Sequence, residues 1–231
     1  MMAATLNIAH RGFTKDTPDN TLESFYAAIK LDADGIECDV QETADHSFII
    51  FHDDKIADKN INGLSLAEIR NLKIAGQYQV PTLEETLSLC RKRIKLMLEL
   101  KQVNSIDLFL ETVNAAMKPE ELFITSFKAS LVKELADFAP RIPRGILIDK
   151  TIAEPLKIMD DTKARIMLPR FSYTTAETVN NLHAHNYAIM VWECNSSQNL
   201  RTALDWGVEG IVTDAPANLA LELKYRQRPR G

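Results

Sequence analysis

Glu37 and Asp39 stand one residue apart in the run Gly35-Ile36-Glu37-Cys38-Asp39-Val40. Side chains alternate between the two faces of a strand, so the carboxylates share one face and Ile36, Cys38 and Val40 share the other. The apolar set belongs against a core, which turns both acids inward. Their Cα atoms would lie ~7 Å apart, a span that two carboxylates gripping one cation can bridge. Two uncompensated acids in an interior repel each other and lose hydration; a hard divalent cation with oxygen ligands relieves both costs. Glu99 and Lys101 repeat the spacing at the end of the apolar run Lys95–Leu100. Glu99 adds a third carboxylate, and Lys101 adds a charge that can balance an anion.

Two histidines complete the set. His10 ends an apolar run and is followed by Arg11, whose planar fork matches phosphate oxygens, and by Gly12, which permits a tight turn. His52 ends the run Phe48–His52, which folds back on Glu37–Gln41 across a turn at Ala44–His46. Antiparallel pairing about that turn puts His52 almost opposite Asp39. Imidazoles titrate near neutrality, so His10 and His52 suit general acid–base catalysis. The ensemble points to a phosphate ester handled on one divalent cation, Mg²⁺ or Ca²⁺.

Such groups need a scaffold that brings strand ends together. Eight short β-rich runs supply it: Leu6–His10, Gly35–Val40, Lys95–Leu100, Leu122–Ser126, Arg144–Ile148, Arg165–Leu168, Ala188–Glu193 and Gly210–Thr213. Helical patterns separate most of them. The alternation predicts one TIM-type (β/α)8 barrel spanning residues 1–231, with its chemistry at the carboxyl ends of the strands. Helix starts are marked at Asn20…Glu23, Ser65…Glu68, Thr82…Glu85 and Thr174…Glu177, each a capping side chain three residues before a glutamate. Leu83, Leu87 and Cys90 share a helix face, and Pro216 opens the last helix. Residues 54–80 break the rhythm and are expected to form an insertion over the barrel mouth, after the hairpin of the second strand.

Composition narrows the partners. The net charge of −5 gives no basic footprint, so nucleic acid is not expected. No apolar run approaches the ~18 residues of a membrane span, and no stable membrane anchor is expected. The start, MMAATLNIAH, lacks the basic and long apolar segments of a secretory signal. With three widely spaced cysteines, Cys38, Cys90 and Cys194, expected to be reduced, this suggests a cytoplasmic protein. His46, His183 and His185 read as surface or helix residues.

The stretch from Ile8 to Asp53 closely resembles the glycerophosphodiester phosphodiesterases, on His10-Arg11-Gly12, Pro18-Asp19-Asn20-Thr21-Leu22, Glu37-Cys38-Asp39-Val40 and His52-Asp53. The similarity continues through Glu99-Leu100-Lys101 to Gly210-Ile-Val-Thr-Asp214-Ala-Pro216. The resemblance implies a metal at Glu37, Asp39 and Glu99, acid–base roles for His10 and His52, and phosphate contact by Arg11. It also implies that Phe127 and Trp192 pack beside a small phosphodiester, that residues 54–80 cover it, and that the products are glycerol 3-phosphate and an alcohol. Four places depart from the family pattern: Asp19, Glu193 after the tryptophan, the turn Asp45-His46, and Asp58-Lys59-Asn60. The departures at 58–60 and 193 bear on substrate preference. The residues leave open which histidine is the base, and whether water or a neighbouring substrate hydroxyl attacks. Two other activities share the pattern: action on lysophospholipids (phospholipase D-like or cyclising) and binding of a phosphorylated ligand without turnover.

Overall fold

Alternating burial needs of the short runs resolve into a ring. The computed structural model describes residues 5–226. Of MMAATLNIAH, the part before Thr5 lies outside the described residues, as do the last five positions of the domain expected over 1–231. The strands are β1 (Leu6–His10), β2 (Gly35–Glu42), β3 (Phe48–Ile50), β4 (Lys55–Ile56), β5 (Lys59–Asn60), β6 (Lys95–Gln102), β7 (Leu122–Ser126), β8 (Arg144–Ile148), β9 (Ile166–Pro169), β10 (Ala188–Trp192) and β11 (Gly210–Thr213). Eight of them pair in parallel, and β1 joins both β2 and β11, which closes the barrel. Closure removes every free edge of the parallel sheet except where β3 pairs antiparallel with β2.

Most of the expected strand limits agree with the structure. β2 and β6 each run two residues further, to Glu42 and Gln102, because β6 continues alongside β2 through an irregularity at Val40/Gln41. The ninth strand starts at Ile166, and the tenth stops at Trp192 because Glu193 turns left-handed, at φ 52°. Helix caps shift in a telling way. Thr82 and Ser65 form capping boxes with Glu85 and Glu68 as expected. Helix Leu22–Lys30, however, is capped by Thr21 with Ser24, and helix Ala176–Ala184 by Thr175. Asn20 is thereby freed from capping, and its amide is used elsewhere.

The core has two layers. Outward-facing Ile36, Cys38, Val40, Leu96, Leu98 and Leu100 are buried against helical residues such as Phe25, Leu87 and Phe109. Inside the ring, Ile8, Met97, Leu147, Leu168, Met190 and Val212 pack together beneath the carboxyl ends of the strands. Gly145 leaves room there for the side chain of Leu168, which a Cβ at that position would displace. Cys38, Cys90 and Cys194 are buried and unpaired.

Residues 54–80 form the β4–β5 ladder, a 3-10 turn, the helix Leu66–Arg70 and a loop closed by Ile74 and Tyr78. Their apolar side chains, Ile56, Ile61, Leu64, Ile69 and Val80, make a small cluster of their own with Ile49 of β3. Among the described residues, no helix is long and apolar enough to cross a membrane.

Candidate active site

The carboxyl ends of the strands enclose a cavity of about 330 Å³. Its wall has two halves. His10, Arg11, Glu37, His52, Glu99 and Lys101 line one, and Phe127, Asp149, Arg170, Trp192 and Glu193 the other. Residues 54–80 do not line it.

Strand register builds the first half. His10 of β1 lies beside Glu37 of β2, and Asp39 of β2 beside Glu99 of β6. With Ile36, Cys38 and Val40 buried outward, Glu37 and Asp39 turn inward as the alternation requires. The carboxylates of Glu37, Asp39 and Glu99 each bring one oxygen within 4.8 Å of the other two. Asp39 lies deepest, 1% exposed. One of its oxygens, Oδ2, accepts from Asn20 Nδ2 at 2.8 Å and lies 3.3 Å from Arg11 Nε. The other, Oδ1, is buried without a hydrogen-bond partner. Lys101 Nζ approaches it only to 3.7 Å, and reaches Glu99 Oε1 at 3.5 Å.

These carboxyl groups are held in an unfavourable state by the protein alone. Burial, then the charge of Asp39, pushes the Glu37 carboxyl up to about 8. Burial and Asp39 raise Glu99 as well, against the pull of Lys101. An orphaned buried oxygen among three acids, with only oxygen donors, matches the demand of a hard divalent cation. Glu37, Asp39 and Glu99 therefore fit such an ion.

The histidines flank this triad. His10 Nδ1 lies 2.7 Å from Asp214 Oδ1, and its Nε2 lies 3.8 Å from Glu37 Oε2. Burial works to lower the pKa of His10, but the Asp214 hydrogen bond and the Glu37 charge outweigh it and raise it. Asp214 moves down in return, chiefly through the same hydrogen bond. Asn195 holds Asp214 from behind, its Nδ2 donating at 2.5 Å to Oδ2. His52 Nδ1 lies 2.8 Å from Asp53 Oδ1.

The hairpin pairs symmetrically about the turn at Ala44–His46, which leaves His52 almost opposite Asp39, as expected. Val40 pairs with Ile50, and Phe51 N–H donates to Asp39 O, so Phe51 opposes Asp39 and His52 follows it. His52 reaches the cavity because the chain leaves the ladder after Ile50. Gln41 holds that turn, with Nε2 donating to the carbonyls of Phe51 at 2.7 Å and Asp53 at 2.8 Å.

Arg11 adopts a left-handed backbone, φ 54°, ahead of Gly12 at φ 90°. A side chain at Gly12 would collide with Ser24, so the turn that aims Arg11 demands glycine. Arg11 Nη1 donates to Asp19 Oδ2 at 3.0 Å. This gives the departure at Asp19 a partner. In the second half, Phe127 and Trp192 meet edge to face, with centroids 5.6 Å apart at 81°. Trp192 Nε1 donates to Leu168 O, which fixes the ring.

All nine residues singled out from the sequence thus gather here: eight line the cavity and Asp39 lies under it. Asp149, Arg170, the hold of Asn195 on Asp214 and the bracing role of Gln41 escaped the sequence, because charged or amide residues at strand ends carry no distinguishing spacing. His46 is bound at the outer end of β2 and takes no part. His183 and His185 lie on the helix Ala176–Ala184 and just beyond it, away from the cavity.

Residues 10–218 match the model of the glycerophosphoryl diester phosphodiesterase family. A glycerophosphodiester phosphodiesterase of Bacillus subtilis is 30% identical over 91% of this chain and 84% of its own length. One of Caldanaerobacter subterraneus is 29% identical over 93% of this chain and 96% of its own. Among solved structures, a phosphodiesterase of Oleispira antarctica in complex with the product sn-glycerol-3-phosphate superposes with a TM-score of 0.88 at 21% identity, covering 96% of this chain and 97% of that one. That likeness concerns the fold.

Proposed function

The chain belongs to the glycerophosphoryl diester phosphodiesterase family, and from that premise we propose that it hydrolyses a glycerophosphodiester to sn-glycerol 3-phosphate and an alcohol. It is an enzyme of the phosphodiesterase class. The observation that carries the finer reading is Asp39 Oδ1, buried and unpartnered between two further carboxylates and flanked by two histidines. Glu37, Asp39 and Glu99 would hold one divalent cation, Mg²⁺ or Ca²⁺. When bound, the cation supplies Lewis-acid charge to the non-bridging oxygens of the phosphate and orients them.

The chain's own residues divide the rest. Arg11 and Lys101 lie where they meet the remaining phosphate charge, Arg11 through its fork and Lys101 as a point charge. Asp214 and Asp53 accept from Nδ1 of His10 and His52, which leaves each Nε2 to take or give a proton. One imidazole removes a proton from the nucleophile, either water or a neighbouring substrate hydroxyl whose cyclic phosphate water then opens, and the other protonates the departing alkoxide oxygen. They start in opposite protonation states, so rate against pH is bell-shaped. Phe127 and Trp192 pack beside the organic part of the substrate. Residues 54–80 would cover only what projects beyond the cavity, since its wall is complete without them. Reduced, buried cysteines favour a cytoplasmic location.

Turnover of glycerophosphodiesters by purified protein tests the reading. Chelation should abolish it and Mg²⁺ or Ca²⁺ restore it, while His10→Ala and His52→Ala should each lower kcat by roughly 10²–10⁴-fold. Full activity after metal depletion, or in either histidine variant, would sink the corresponding role.

A further inference from the structure

The second half of the cavity wall carries a preformed polar clasp. Asp149, Arg170 and Glu193 follow the carboxyl ends of three successive strands, β8, β9 and β10. Arg170 Nε donates to Asp149 Oδ1 at 2.6 Å and Nη2 to Asp149 Oδ2 at 3.2 Å. Its Nη1 donates to Glu193 Oε2 at 2.6 Å. The same guanidinium lies over the Trp192 ring, 4.5 Å from the centroid. Glu193 reaches it from a left-handed backbone, φ 52°, a strained conformation for a residue of that size.

The chemistry of this clasp discriminates between alcohols. A guanidinium has five N–H donors, of which three are engaged, so two remain for a ligand. Both carboxylates keep lone pairs, and Glu193 Oε1 has no hydrogen-bond partner among the described residues. Donors and acceptors therefore alternate along one wall of the cavity, which suits hydroxyl groups, since each both donates and accepts. A quaternary ammonium has no N–H to donate and binds best on an open aromatic face. Here the face of Trp192 is already covered by the protein's own cation.

We propose that the Asp149–Arg170–Glu193 clasp binds the hydroxyls of the alcohol esterified to glycerol phosphate, so that polyol headgroups are preferred over quaternary ammonium headgroups. The proposal rests on the hydrolase reading above and names its substrate class.

The decisive comparison is kcat/KM for glycerophosphoglycerol and glycerophosphoinositol against glycerophosphocholine, in wild type, Arg170→Ala and the milder Glu193→Gln. Wild type should favour the polyol substrates by roughly 10–100-fold. Arg170→Ala removes the donors and uncovers Trp192, so the ratio should fall towards one, with Glu193→Gln between. A choline preference in wild type, or a ratio that neither variant moves, overturns the proposal while leaving the hydrolase reading intact. Saturation-transfer NMR with free glycerol, myo-inositol and choline provides a readout independent of turnover. Polyol binding should be lost and choline binding gained in Arg170→Ala, with thermal melting showing that the variant is folded. Arg170-dependent polyol binding without turnover of any diester keeps the clasp and sinks the hydrolase reading; no polyol binding in wild type overturns the clasp itself.

Discussion

Glu37 and Glu42 belong to the same strand and are almost equally buried, 5% and 4% exposed, yet the protein treats them in opposite ways. Glu42 accepts from the backbone N–H of Asn104 at 2.6 Å and Ser105 at 2.9 Å, from Ser105 Oγ at 2.6 Å, and pairs with His46 Nδ1 at 2.6 Å. Burial works to raise its pKa, but these donors prevail and hold it at about 2. Glu37 accepts one long backbone bond, from Arg11 N–H at 3.2 Å, and faces two other acids. It is pushed up to about 8. Burial by itself therefore decides nothing about a carboxylate; the count of donors around it does. Glu42 ties the end of β2 to the start of the helix Ile106–Ala116, in place of a side-chain cap from Ser105. Glu37 is left in a position that folding alone does not favour, as the proposed cation site requires.

Glu37→Gln should break the contrast most severely. It removes a charge from the proposed cation site, and kcat should fall by ~10³-fold or more, since Lewis-acid stabilisation amounts to several kcal/mol. The fold should survive. In metal-free wild type, Glu37 binds its proton more tightly folded than unfolded, so the folded state gains stability from it at low pH. That gain is lost as pH rises from about 5 towards about 8. Melting temperature should fall across that window, a divalent cation should reverse the fall, and Glu37→Gln should flatten it. Calorimetry with and without Mg²⁺ checks all three.

Asn20→Ala tests whether the orphan oxygen is deliberate. Asn20 grips Asp39 at Oδ2, and its own carbonyl oxygen accepts from Asp39 N–H at 3.3 Å. Freed, the carboxylate can rotate away, and metal affinity or activity should drop by roughly 10–100-fold, as for other residues that orient a ligand. An unchanged metal titration would count against the positioning role.

The smallest effect belongs to Glu42→Gln. Its amide nitrogen cannot accept from the Asn104 and Ser105 donors, and stability should fall by about 1–3 kcal/mol in a denaturant titration with turnover per folded molecule unchanged. Here the sign of the pH effect is opposite. A carboxylate held at about 2 stabilises the fold above its unfolded pKa and loses that contribution as pH falls from the ordinary carboxylate range towards about 2. The variant should lose that acid limb.

Much of the half of the cavity that carries the three acids was legible from spacing. Glu37 and Asp39 alternate with Ile36, Cys38 and Val40, and a strand has only two faces, so one apolar set determines where both acids point. Glu99 and Lys101 follow by the same rule, and eight β-rich runs separated by helices leave few architectures other than a closed parallel ring. None of this needed distant contacts. What tertiary structure alone decided is which remote groups meet those acids. Asp214 reaches His10 only because β11 closes on β1, and Asn20 reaches Asp39 only because Thr21 takes over the cap. The entry of His52 into the cavity likewise depends on the chain leaving the ladder after Ile50, which local pattern does not specify. Periodicity is a local property of the chain and can be read along it; the partner of a charged side chain at a strand end is a product of closure, and is settled only when the first and last strands lie side by side.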